Sequence, residues 1–243
     1  MSETTIGLVT GANKGIGFEI AAQLGALGWT VVVGARDTGR RETAVEKLRA
    51  AGIDAVSVPL DVTDQDSVSA AAAAIDRGFG RLDVLVNNAG IIGGTPQAPS
   101  TVDLATVHRA VDTNVYGVIR VTNAMLPLLR RSSAPRIVNM SSSVGSFAEQ
   151  LDPGGPLAGM PASAAYVPSK AFLNAVTVQY AKELRDTGVL VNAGCPGYCA
   201  TDLNNYTGFR TPAQGAVIAV RLATLPADGP SGGFFNDEGV VPW

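Results

Sequence analysis

Apolar and polar positions along the chain fall into two alternating patterns. Short, β-rich apolar runs occur at 5–10 (TIGLVT), 30–35 (TVVVGA), 54–59 (DAVSVP), 82–86 (LDVLV), 136–140 (RIVNM) and 189–194 (VLVNAG). Between them lie longer stretches with apolar residues at the spacing of a helix face. These follow Gly17 and then cover 38–51, the segment capped at Thr63-Asp64, 101–131, 164–186 and 212–225. Gly233-Phe-Phe-Asn reads as a seventh strand, and 240–243 as a tail. Strand and helix alternating from end to end predict an α/β, doubly wound architecture, with a seven-stranded, mainly parallel sheet and helices on both faces. No internal repeat, low-complexity tract or linker interrupts residues 1–243, so a single domain is expected.

The first helical segment is preceded by Gly11-Ala-Asn-Lys-Gly15-Ile-Gly17. Strand, glycine-rich turn and helix in that order form the dinucleotide cradle of Rossmann-type folds. The glycines let the backbone approach a pyrophosphate, and the helix start offers unpaired N–H groups. The same residues would also make a tight turn without a ligand. In such folds a carboxylate at the end of the second strand holds the ribose 2′-hydroxyl. Here that strand ends in Ala35-Arg36. A guanidinium suits a phosphate, and Lys14 is within reach of the same group, which points to NADP(H) rather than NAD. The alternative is a solvated Arg36 paired with Asp37. Asn87-Asn88-Ala89-Gly90, at the end of the fourth strand, suits a ligand crevice or a plain turn.

A second constellation lies between Ser141 and Lys170. Tyr166 and Lys170 are four apart, one turn along the same helix face. A nearby ammonium is expected to lower the pKa of the phenol, which is ordinarily about 10. A serine hydroxyl from the 141–143 cluster could meet a substrate carbonyl there, so that the oxygen is protonated while a cofactor delivers hydride. The Pro/Gly-rich piece 152–161 reads as a loop inserted near this site.

Composition narrows the remaining possibilities. The chain is 46% hydrophobic and 16% charged, which suffices for a core and argues against disorder. The net charge of −3 is spread without long runs of one sign, so no nucleic-acid partner is expected. No apolar run is long enough to span a bilayer, and no basic segment precedes a hydrophobic one at the N-terminus, so no membrane association and a cytoplasmic location are expected. Cys195 and Cys199 form no disulfide framework, and no His or further Cys lies nearby to make them a metal site. His108 is expected on a helix surface, as is the mid-helix Asn114.

Taken together, the motifs resemble the short-chain dehydrogenase/reductase family in its compact form. They are TGANKGIG at 10–17, LDVTD at 60–64, NNAG at 87–90, Asn114, NMSS at 139–142, Tyr166-x-x-x-Lys170 and PGYCAT at 196–201. GARD at 34–37 and the terminal Pro242-Trp243 look like the carbonyl-reductase branch, which uses NADPH. The resemblance implies that Tyr166 is the general acid for reduction and the base for oxidation. Lys170 would lower the pKa of Tyr166 and bond the nicotinamide ribose, and Asn114 would hold a water in a relay to Lys170. Ser142, with Ser143 as the other candidate, would orient the carbonyl. Gly11, Gly15, Ile16 and Gly17 would hold the pyrophosphate, with Asn13 in the same cofactor-binding set, and Lys14 and Arg36 would take the 2′-phosphate. Asp61 and Val62 would line the adenine pocket, Asn88, Ala89 and Gly90 the adenosine side, and Pro196, Gly197 and Thr201 the carboxamide. The implied activity is NADPH-dependent reduction of an aldehyde or ketone. The alternatives are an NAD-linked alcohol dehydrogenase of the same fold and a non-catalytic NADP-sensing protein. Substrate loops are expected at 92–99, 144–162 and 198–210. The serine-to-tyrosine gap is about twice that of compact members and leaves monomer or homo-oligomer undecided.

Overall fold

The computed structural model describes residues 4–243. The chain forms β1 (Ile6–Thr10), α1 (Gly15–Ala26), β2 (Thr30–Ala35), α2 (Thr38–Ala50), β3 (Ala55–Pro59), α3 (Gln65–Phe79) and β4 (Val84–Asn87). It continues with α4 (Leu104–Val111), α5 (Gly117–Leu129), β5 (Arg136–Met140), α6 (Phe147–Leu151), α7 (Tyr166–Glu183), β6 (Leu190–Gly194) and α8 (Pro212–Ala223). Two short strands, β7 (Phe234–Asn236) and β8 (Gly239–Val240), follow. One sheet runs β3-β2-β1-β4-β5-β6-β7-β8, and every pairing is parallel except β7 with β8.

The continuous apolar runs have a simple physical origin. Successive strand residues point to opposite faces, and both faces are covered. Leu8, Val32, Leu85, Ile137 and Val191 face one core, completed by Ile75, Met125 and Leu129 from the helices and by Leu184 just after α7. Val9, Val31, Val33, Val86 and Val138 face the other, against Ile20, Leu24, Leu48, Ile218 and Leu222. Each fully buried branched side chain of this kind contributes roughly 1.5–3 kcal/mol relative to exposure. The sheet is thereby a rigid frame for whatever its strand ends carry.

Three expectations are corrected. The sheet has eight strands, not seven, because the tail turns back after β7. The Asn236 side chain accepts from the N–H groups of Glu238 and Gly239, both at 2.9 Å, and Gly239 takes φ 143, a value that suits glycine. A two-residue strand carries too little pattern to be read from sequence. The segment 101–131 is not one helix: α4 and α5 are joined by a single π turn, Asp112–Tyr116. Asn114 lies in that turn and is 1% exposed, so the expected surface asparagine is buried. His108 is exposed on α4, as expected. No helix among the described residues is long and apolar enough to cross a membrane.

Candidate active site

The strand order reverses at β1, which pairs with β2 on one side and β4 on the other. Helices leave these strands toward opposite faces, and the carboxyl ends splay to leave a crevice. Thr10 ties the two lips together. Its hydroxyl accepts from the N–H groups of Asn88 and Ala89 at 3.0 Å each, and its carbonyl accepts from the Asn88 amide at 2.9 Å. A crevice of about 610 Å³ opens here. Gly11, Asn13, Lys14, Gly15, Ile16, Gly17, Arg36, Asp61, Val62, Asn88, Ala89, Gly90, Tyr166, Lys170, Pro196 and Thr201 all line it.

Two glycines show why the cradle admits no side chain. Gly11 has φ 66, and a Cβ there would stand 3.0 Å from Cα of Ala89. A Cβ on Gly17 would collide with the Asn88 amide and the Gly11 carbonyl. A backbone kept this bare at a helix start fits a pyrophosphate. At the adenosine end Arg36 is exposed and lines the crevice, while Asp37 caps α2 by accepting from the Arg40 N–H at 2.9 Å. The alternative Arg36–Asp37 pair is therefore not what Asp37 does. Arg40 lines the same end and was missed by sequence reasoning. Partial burial works to raise the Asp61 carboxyl, but the Thr63 hydroxyl and N–H, then Arg36 and Arg120, hold it below the usual range.

Lys14 lines the crevice and has a protein partner there. Its ammonium is paired with Asp202, from the loop that follows β6. The bonds from Lys14 and from the Tyr206 hydroxyl hold the Asp202 carboxyl at about 2. Gly197 does not line the crevice. It makes a turn at φ 73, where a Cβ would meet the Arg210 side chain at 2.7 Å.

The loop at 198–210 has a closed base. Cys199 and Arg210 form an isolated β-bridge, Ala200 N–H donates to the Arg210 carbonyl at 2.8 Å, and Arg210 N–H donates to the Tyr198 carbonyl at 3.1 Å. Arg210 also pairs with Asp237 beside β7. The insert after β5 begins with a 3-10 turn, Ser143–Gly145, and then α6, capped by Ser146. Tyr116 and Phe172 remain uncovered and meet edge to face at 6.4 Å.

At the other end of the crevice the chemistry-bearing residues converge. Gly145 lets the 3-10 turn lie directly on α7; a Cβ would stand 2.7 Å from the Lys170 carbonyl carbon. Ser142, just before that turn, is the side chain whose hydroxyl acts to lower the pKa of the Tyr166 phenol. Ser141 points elsewhere, donating to Asn174 Oδ1 at 2.5 Å, and Ser143 N–H donates to Cys195 Sγ at 3.2 Å. Of the two serines left open, Ser142 is the one at the phenol. Lys170 donates to the Met140 carbonyl at 2.8 Å, and its Nζ lies 5.7 Å from the centre of the Tyr166 ring.

The electrostatics reverse one expectation. The Tyr166 phenol is not acidified here. Burial pushes it up to about 12, the nearby Cys195 thiol adds to the rise, and only the Ser142 hydrogen bond opposes it. Burial also lowers the Lys170 ammonium to about 8. Both shifts follow from desolvation of the charged form. Asn114 lies outside the crevice lining, and its side chain is committed to protein. It accepts from the Ile91 N–H and donates to the Ile91 carbonyl and the Ser169 hydroxyl, all at 2.9 Å.

Known proteins resemble this chain in sequence and fold. The family model described as short chain dehydrogenase matches residues 5–209. Salutaridine reductase of Papaver bracteatum is 37% identical, over 94% of this chain and 93% of its own length. Carbonyl reductase [NADPH] 1 of Bos taurus is 32% identical, over 100% and 99%. Among solved structures, NADPH-bound carbonyl reductase from chicken fatty liver superposes with a TM-score of 0.87 at 30% identity, covering 100% of each chain.

Proposed function

The chain belongs to the short-chain dehydrogenase family, and on that premise we propose that it is an NADPH-dependent reductase of aldehydes or ketones. One observation carries the reading: the Tyr166 phenol, on which Ser142 acts, and Lys170 lie at one end of a glycine-floored crevice whose far end carries Arg36 and Arg40. NADPH-bound relatives support the choice of cofactor. Arg36 and Arg40 would hold the 2′-phosphate, and the bare backbone at Gly11 and Gly17 the pyrophosphate. When bound, the reduced nicotinamide supplies a hydride to the carbonyl carbon.

The residues of the chain do the rest. Ser142 donates a hydrogen bond to the carbonyl oxygen and orients it. Tyr166 Oη gives its proton to that oxygen as charge develops there. A phenol held near 12 remains protonated throughout the neutral range, which suits the reductive direction. Lys170 returns charge stabilisation to the phenolate as it forms. Asn114 keeps Ile91 and Ser169 in register behind these groups. Large apolar side chains are left uncovered on the expected substrate loops, among them Phe147, Leu151, Met160, Leu203 and Phe209, beside polar ones such as Asp152 and Asn205. The apolar ones favour a hydrophobic or aromatic carbonyl compound.

The test is loss of NADPH absorbance in the presence of purified protein and a panel of aldehydes, quinones and cyclic ketones. Turnover of at least one class is expected, with NADPH preferred to NADH; silence across the panel contradicts the reading. A pH dependence also follows. Reduction needs a protonated phenol and a charged ammonium, and Lys170, at about 8, is the first of the two to be lost as pH rises. A profile of kcat/KM, which reports the free enzyme, should be level below that pH and fall above it. Lys170→Arg cannot lose its charge, so its lower activity should show no such limb.

A further inference from the structure

Helix α7 begins without a cap of its own. Ala165 occupies the cap position, and no side chain of the local sequence satisfies the helix start. The N–H of Tyr166 goes instead to Oε1 of Gln97, at 3.1 Å and 69 residues away in sequence. The Ser163 hydroxyl donates to the same oxygen. The Gln97 amide nitrogen donates to the carbonyls of Ile92 at 2.9 Å and Gly94 at 2.7 Å. The backbone carbonyl of Gln97 accepts from Ala164 N–H at 2.9 Å. A glutamine side chain offers two donors and two lone pairs. All four are engaged within the protein, so this side chain has no capacity left for a substrate.

The other side of Tyr166 is tied to the same segment. Its carbonyl accepts from the Ser169 hydroxyl at 2.6 Å. That hydroxyl accepts from Asn114, which grips Ile91 by both peptide groups. The N–H and C=O of Tyr166 are thus both referred to residues 91–97, and Ile91 and Ile92 line the crevice.

We propose that Gln97 is a positioning residue that sets the Tyr166 phenol against the crevice wall formed by Ile91 and Ile92. The inference rests on the reading of Tyr166 as proton donor. Displacement of a reacting group by about 1 Å can lower a rate on the order of 100-fold.

Two variants separate the halves of the contact. Gln97→Met keeps the length and removes every side-chain hydrogen bond. Gln97→Glu keeps the acceptor for Tyr166 N–H and Ser163 and loses the donors to the loop. Gln97→Met is expected to lower kcat about 10- to 100-fold with the NADPH Kd, read by fluorescence, within about twofold of the parent; Gln97→Glu should recover part of that loss. Retention of kcat within about twofold in Gln97→Met overturns the inference. So does a parallel loss of kcat and NADPH affinity with no recovery in Gln97→Glu, since that is general loosening. Should Gln97→Met fail to fold, Gln97→Glu decides alone: a several-fold fall in kcat at unchanged NADPH Kd supports the inference, and unchanged kcat or a parallel loss of affinity overturns it. Tyr166→Phe serves as the control. If it remains active, the proton-donor reading itself falls; if it is inactive while Gln97→Met is fully active, only the role of Gln97 falls.

Discussion

Tyr166→Phe is expected to lower the rate of carbonyl reduction by about 10²- to 10⁴-fold, the usual contribution of a positioned general acid. The substitution keeps the ring and removes Oη, so the packing around the ring persists. Loss of one hydrogen bond to Ser142 should cost only about 0.5–1.5 kcal/mol of stability. NADPH should therefore still bind, with a Kd close to that of the parent. The diagnostic result is the split between the two measurements: fluorescence titration shows cofactor bound, and single-turnover mixing with a reactive aldehyde shows almost no oxidation. The Ser142 hydroxyl remains in place and sets the residual rate. Full activity in this variant would remove the phenol from the mechanism.

The second large effect is on cofactor choice. Arg36→Glu should weaken NADPH binding about 10- to 100-fold, the equivalent of a lost charge-assisted hydrogen bond worth roughly 1.5–3 kcal/mol. A carboxylate there would also repel the phosphate and accept from a free ribose 2′-hydroxyl, so NADH should bind better than to the parent. Arg40 remains beside the site and limits the loss. Parallel titrations with both dinucleotides read the switch directly. An unchanged NADPH Kd would show that the guanidinium does not meet the phosphate.

Much of this was legible in the chain itself. The double-sided burial of the strands produced continuous apolar runs, and the bounds expected for β2 (30–35) and β5 (136–140) are those observed. Glycine-rich turns and a Tyr/Lys pair marked where the crevice would lie, and Gly11, Gly15, Gly17, Tyr166 and Lys170 all line it. What was missed depends on contacts between distant segments. Asn114 looked like an exposed residue because its reason for burial, the peptide groups of Ile91, lies 23 residues earlier. The phenol looked acidic because spacing along a helix reports proximity to Lys170 but not the removal of water, which here has the larger effect. The pairing of Lys14 with Asp202 gave no local signal, because the two lie 188 residues apart. Gln97 gave no signal at all, since a polar residue in a Pro/Gly-containing loop is ordinarily solvated.

The closed base of the 198–210 loop has an evolutionary reading. Both stems meet at Cys199 and Arg210, and Arg210 is anchored separately at Asp237. Changes between those stems reach the mouth of the crevice without entering either hydrophobic layer of the sheet. On the proposed function, selection can therefore retune which molecules are accepted at Thr201, Asp202 and Leu203, which line the crevice, and thermal robustness need not drift with it.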